Sequence, residues 1–191
     1  MTDRTIDQLF PANIAELSAR HFTPVAVARR AARLLAPTPH HRVLDLGAGA
    51  GKLCLVGAAI TGASFTGIEQ RRHFVRAAIE AGARLTLRNV HFIHADILDV
   101  DWRPYDSYYL FNPFAEHLIG PIDGTRQARP PLFGFYVQAV RRRLHDAVPG
   151  TRVVTYHGFG GSMPPCFRLA ACEEAGSDEL ELWIKDDDAR S

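Results

Sequence analysis

The chain has few of the residues that staple small proteins or carry them across membranes. Only three cysteines occur among 191 residues, Cys54, Cys166 and Cys172, and none forms a C-x-x-C pair. That number and spacing exclude a disulfide framework and give no support to a structural zinc site; reduced thiols in a cytoplasmic protein are the expectation. No apolar run approaches the roughly 18 residues of a membrane span, and MTDRTIDQLF lacks a basic segment followed by an apolar one. Neither a spanning helix nor a secretory leader is therefore expected. Lysine is nearly absent, with only Lys52 and Lys185, and the net charge is just +1. The balance hides an asymmetry: residues 1–172 carry 20 basic and 13 acidic side chains, residues 173–191 carry 2 and 8. A basic body is weak evidence for a polyanionic partner, and the lack of a continuous basic and aromatic stripe leaves nucleic acid possible but not favoured.

What is present is an ordinary globular composition, 47% hydrophobic and 23% charged, at a length suited to one compact domain. A helical cap over residues 1–36 precedes an α/β domain over 37–191. In the cap, Asn13 with Glu16 has the spacing of a capping box, and Thr23-Pro24 offers an N-cap with proline at the first helical position. Short apolar strands then alternate with amphipathic helices: strands at 42–46, 64–68, 90–95 and 107–111, helices from about Lys52, at about 71–83 with Val75, Ala78 and Ile79 inward, and at about 131–146. Such alternation favours a parallel sheet. The end changes character, with strands at 152–156, 167–172 and 179–185, the last two an antiparallel hairpin across the polar stretch 173–178.

The strongest local signal is Val43-Leu44-Asp45-Leu46-Gly47-Ala48-Gly49-Ala50-Gly51-Lys52. It delivers a buried strand and an acid into alternating glycines, which let a ligand approach the backbone closely. A phosphate-binding P-loop requires G-x-x-x-x-G-K-[ST], but Leu46 stands five before Gly51 and Leu53 stands where the hydroxyl belongs. A dinucleotide fingerprint counted from Gly47 puts Lys52 at its third glycine. Two further strands also end in acids, Glu69 before Gln70 and Asp96 before Ile97. Three carboxylates at successive strand ends point to a ligand, because ligands of such sheets collect at the carboxyl edge.

Asp45, Gly47, Gly49 and Gly51 match the E/DxGxGxG pattern, and from about residue 22 onward the chain resembles the class I S-adenosylmethionine-dependent methyltransferases. The resemblance implies a Rossmann-like three-layer αβα sandwich, with a mainly parallel seven-stranded sheet whose last strand is antiparallel. It implies S-adenosylmethionine as cofactor and S-adenosylhomocysteine as product. Asp45, Gly47, Ala48, Gly49 and Gly51 would hold the amino-acid part, Glu69 the ribose hydroxyls, and Gln70, Asp96 and Ile97 the adenine. Phe22, in His21-Phe22-Thr23-Pro24, matches a segment that amino-methyltransferases place over the cofactor; packing of the following helix is an equal reading. Asn112-Pro113-Phe114 resembles a shortened form of the [DNS]-P-P-[FYW] tetrad of enzymes that methylate amino nitrogens, with one proline and with Ala115 in the aromatic position. Asn112, Pro113 and Phe114 are accordingly the candidate catalytic residues, Asn112 also touching cofactor.

The implied function is N-methylation of an amine, on a protein side chain before a small molecule or nucleobase. A catalytically silent cofactor-binding protein or partner subunit is the second reading and a nicotinamide oxidoreductase the third, because Glu69 alone does not discriminate between cofactors. The stretch 114–131, with Glu116, His117, Asp123 and Arg126, is long for a βα connection and is a candidate substrate lid. Nine histidines show no metal-ligand spacing. His157, after the fifth strand, is a candidate for substrate contact or proton relay.

Overall fold

The computed structural model describes residues 1–114 and 130–187. Helices α1 (Asp3–Asp7), α2 (Ala12–His21) and α3 (Val25–Leu35) open the chain. There follow β1 (Arg42–Leu46), α4 (Lys52–Thr61), β2 (Ser64–Glu69), α5 (Arg72–Arg84), β3 (Val90–His94) and β4 (Ser107–Phe111). Helix α6 (Pro130–His145), β5 (Arg152–Tyr156), β6 (Phe167–Ala175) and β7 (Asp178–Lys185) complete it. The strands form one seven-stranded sheet in the order β3-β2-β1-β4-β5-β7-β6. Six run in one direction, and β7 lies antiparallel between β5 and β6. This is the Rossmann-like architecture expected, and the described residues divide into two compact units, 1–109 and from 110 onward.

In the first unit, the near-continuous apolar run of β1 is buried from Val43 to Leu46, as a strand covered on both faces requires. Helix α4 is apolar on every side and buried from Lys52 to Ala58, so it is a core helix rather than an amphipathic one. Gly57 gives it access to β2: a Cβ there would stand 2.4 Å from Phe65 Cζ. Helix α5 buries Phe74, Val75, Ala77, Ala78 and Ala81, while Ile79, expected inward, is 52% exposed. Phe74 supplies the side chain that closes this stripe instead.

The cap's helix starts differ from the sequence expectation. Helix α2 begins behind Pro11 and α3 behind Pro24, neither with a side-chain cap; the capping box is the Thr2–Thr5 pair at α1. Proline's fixed φ already suits these entries. Thr23 is thereby released to bond the Tyr109 hydroxyl at 3.0 Å.

In the second unit, β6 and β7 run on to Ala175 and Asp178, so their turn is only Gly176-Ser177, with Gly176 left-handed at φ 70°. The outer strand β6 is largely exposed and carries Arg168, Glu173 and Glu174, charges that discourage edge pairing with another chain.

Candidate functional site

In the first unit, the glycine turn is folded back on β2. Gly47 and Ala48 both donate their N–H groups to the Ile68 carbonyl, at 3.0 and 2.9 Å, and Gly51 N–H closes on the Ala48 carbonyl at 2.8 Å. Gly47, Gly49 and Gly51 take φ of 86°, 55° and 77°, so each alternate position of the motif is left-handed, a conformation costly for other residues. Gly67, on β2 opposite Asp45, makes the room: a Cβ there would meet the Ala48 Cβ at 2.7 Å. Sequence reasoning passed over Gly67, although a glycine inside a strand signals such a close approach.

Asp45 is buried at the end of β1, where the Cys54 thiol donates to its Oδ2 at 3.4 Å. Burial pushes its carboxyl up to about 7; the thiol bond acts against this shift and the neighbouring Glu69 charge adds to it. Burial and the Asp45 charge push the Cys54 thiol well above its usual value. Glu69, also buried, accepts Gly49 N–H on Oε2 at 3.0 Å, Arg71 N–H on Oε1 at 2.8 Å, and both ends of the Arg71 guanidinium. It therefore fixes the middle of the glycine turn from the end of β2.

Asp96 caps the turn after β3 by accepting Leu98 N–H at 2.9 Å, and buried Ile97 accepts the Trp102 indole N–H on its carbonyl at 2.9 Å. The Gln70 carbonyl stands 3.1 Å from His94 Nε2. Phe22 is buried edge-on between Phe10 and Phe74 and lies against Gly49, whose Cβ would be 3.3 Å from its ring. The ring is packed into the core, as one of the two sequence readings expects, and it also lies beside the glycine turn.

Lys52 was not singled out from the sequence. It opens α4 with its side chain buried and donates to Ser18 Oγ at 2.7 Å and to Asp7 Oδ1 at 3.2 Å, and it pairs with Asp3 at 2.5 Å. Only a contact over more than 40 positions of sequence explains why a cation follows the last glycine, and no local signal carries it.

In the second unit, Asn112 leaves β4 with φ 38°, its side chain exposed and its N–H bonded to the Gly158 carbonyl at 2.9 Å. Pro113 is half-buried. Phe114 is buried and stacks on Tyr136 of α6, with centroids 5.3 Å apart and 21° between planes. His157 follows β5 in the left-handed region at φ 57°, tilted against Phe111 with centroids 5.5 Å apart. Ala115 and the candidate lid residues Glu116, His117, Asp123 and Arg126 lie outside the described residues. Pairing of β6 with β7 sets Cys172 opposite Glu181, and with Glu179 these are the one metal-capable group among the described residues. Cys172 and Glu179 are exposed, and the Glu181 carboxylate already accepts from Thr155 and Trp183.

The first unit thus sets two buried carboxylates, Asp45 and Glu69, at the ends of β1 and β2 beside a left-handed glycine turn. Residues 37–115 match the family model of a methyltransferase domain. No curated protein sequence matches the chain. Among solved structures, an RNA methyltransferase from Salinibacter ruber in complex with S-adenosylhomocysteine aligns with TM-score 0.60 and 21% identity, covering 87% of this chain and 94% of that one. TrmN from Thermus thermophilus aligns with TM-score 0.67 and 22% identity over 90% of this chain, which spans 52% of TrmN. A point mutant of MtNAS in complex with S-adenosylmethionine gives 0.60 and 14% over 97% of this chain and 72% of that one. At these identities the likeness is one of fold. The family match thus covers residues 37–115, and around it the chain has the fold of S-adenosylmethionine-dependent methyltransferases of known structure.

Proposed function

We propose that the chain methylates an amino nitrogen, with an amine on a protein side chain as the preferred acceptor. The observation that carries this reading is Asn112: an exposed amide at the end of β4, its backbone held left-handed by the bond to Gly158. Fixed in this way, the Asn112 side-chain oxygen and the Pro113 carbonyl accept N–H bonds from an acceptor amine and stabilise the positive charge that develops on it. The bound cofactor supplies an electrophilic sulfonium methyl. Asp45 holds its ammonium, Glu69 its ribose hydroxyls, and Asp96, Gln70 and Ile97 its adenine, while Phe22 shields the turn from water. Catalysis is mainly alignment, which can supply roughly 7–11 kcal/mol without a strong base.

An amino group on an RNA base is the second reading, because the Salinibacter ruber neighbour is an RNA methyltransferase aligned over nearly its whole length. Against it, Phe114 is stacked into the fold rather than presented to a base. Methyl-tritiated S-adenosylmethionine incubated with the protein and with separated protein, RNA and small-molecule fractions of a cell extract tests both. Label in the protein fraction, resistant to ribonuclease, supports the first reading; ribonuclease-sensitive label replaces it with the second. Binding of S-adenosylhomocysteine without labelling of any fraction would remove both.

A further inference from the structure

We propose that His157 is the base that takes a proton from the acceptor amine, with Asp178 as the residue that positions it. This assignment rests on the amino-nitrogen reading above. His157 Nδ1 lies 2.7 Å from Asp178 Oδ2, and Nε2 lies 3.0 Å from Ser177 Oγ. Ser177 is itself held by Tyr156, which contacts its Oγ at 3.1 Å and accepts its N–H at 3.2 Å. The carboxylate on Nδ1 fixes the Nδ1–H tautomer, so the basic lone pair is the one on Nε2, on the side of the ring away from Asp178. In the resting chain the Ser177 hydroxyl occupies that lone pair, and its neutral, exposed donor is one an acceptor can displace.

The backbone places this base beside the acceptor segment. Only three non-glycine residues among those described have positive φ, Thr86, Asn112 and His157. Two of them stand at the ends of β4 and β5, joined through the bond from Asn112 N–H to the residue after His157, Gly158. Strained backbone of this kind persists where the surroundings over-determine it, and it collects at functional sites. The His157 ring is about one-third exposed and tilts against Phe111, the residue before Asn112.

The step balances as follows. An alkyl amine is protonated at neutral pH, and its surplus proton passes to Nε2, leaving the nitrogen lone pair free. That lone pair forms the N–C bond while the C–S bond breaks with its electrons left on sulfur. The imidazolium, paired with Asp178, returns the proton to solvent.

Two measurements test the assignment. Imidazole nitrogen shifts of the full-length chain, recorded by NMR without any acceptor, should show His157 as the Nδ1–H tautomer, and Asp178→Ala should abolish that preference. An Nε2–H tautomer in the wild type overturns the proposal, because no lone pair would face the acceptor. In the labelling assay on extract protein, His157→Gly should lower kcat about 100-fold with the KM for S-adenosylmethionine unchanged, and added imidazole should restore part of it. Glycine suits φ 57°, so this variant keeps the fold. Wild-type labelling with His157→Gly equally active overturns this assignment alone. A wild type that labels no fraction overturns the amino-nitrogen reading, and this assignment with it.

Discussion

Arg71 grips Glu69 like a fork, Nε on Oε1 at 2.8 Å and Nη2 on Oε2 at 2.9 Å. With the Arg71 and Gly49 N–H groups added, the carboxylate accepts four bonds, about the full capacity of its lone pairs. A ribose can reach Glu69 only by displacing part of the fork. Arg71→Ala should therefore tighten S-adenosylhomocysteine binding, by up to about tenfold for a displaced contact near 1 kcal/mol. Glu69→Gln should weaken it by about 10- to 100-fold, the worth of a hydrogen bond to a charged group. Isothermal titration calorimetry measures both; weaker binding by Arg71→Ala would show that the guanidinium holds the ligand rather than excludes it.

With Asp45 as the proposed holder of the cofactor ammonium, binding should depend on pH. The Asp45 carboxyl titrates near 7 in the folded, ligand-free chain because burial favours the neutral acid, and a carboxylate is needed to hold an ammonium. Affinity for S-adenosylhomocysteine should rise as pH increases through 7, with a proton released on binding below it. Calorimetry in buffers of different ionisation enthalpy reads that proton directly, and Asp45→Asn should flatten the profile.

The same group makes folding stability depend on pH with the opposite sense. Its folded value is raised above the unfolded one of about 3.9, so its contribution is full below that value and is lost as pH rises toward 7. Thermal melts of Asp45→Asn against wild type should converge at low pH and separate across this window, the variant losing less stability.

Gly51 should tolerate no side chain. An alanine Cβ would lie 2.3 Å from Phe92 Cε1, in a residue with φ 77°. The backbone term alone costs roughly 1–2 kcal/mol, and the clash must also displace an aromatic ring between α5 and β3. Gly51→Ala should lower Tm by at least about 2–4 °C, what 1 kcal/mol does in a domain of this size. Gly134→Ala, with no neighbour within 4 Å of its Cβ, is the control.

Lys52→Ala should loosen the first two helices. It strips Ser18 and Asp7 of a buried donor, at roughly 1–3 kcal/mol. Hydrogen exchange should quicken in residues 3–18 while β1 and β2 keep their protection; uniform quickening would mean that the whole first unit depends on this cation.

Local chemistry made much of the fold legible. The strand 42–46 and the helix after it follow from an apolar run punctuated by glycines, and β5 follows from Val153, Val154 and their neighbours. At the helix entries the side-chain capping rules lost to proline, whose dihedral already fits, so neither Asn13 nor Thr23 caps a helix and Thr23 bonds Tyr109 instead. The placement of Asp45, Glu69 and the glycines was readable because one short motif and one strand end carry it. Lys52 with Asp3 and Asp7, and Arg71 on Glu69, depend on side-chain reach, which periodicity does not encode. His157 was visible as a residue after a strand, but Asp178 and Ser177 reach it only through the pairing of β5 with β7, a relationship between distant segments.

The two-residue turn at Gly176-Ser177 leaves no slack between β6 and β7. One amino acid inserted there would shift the ladder by a single step and turn Leu180 and Leu182 out of the interior. It would also carry Asp178 away from the imidazole. Length at this bend is therefore a coordinate of the chemistry, and deletions or duplications in it should be tolerated less well than most replacements of the residues themselves.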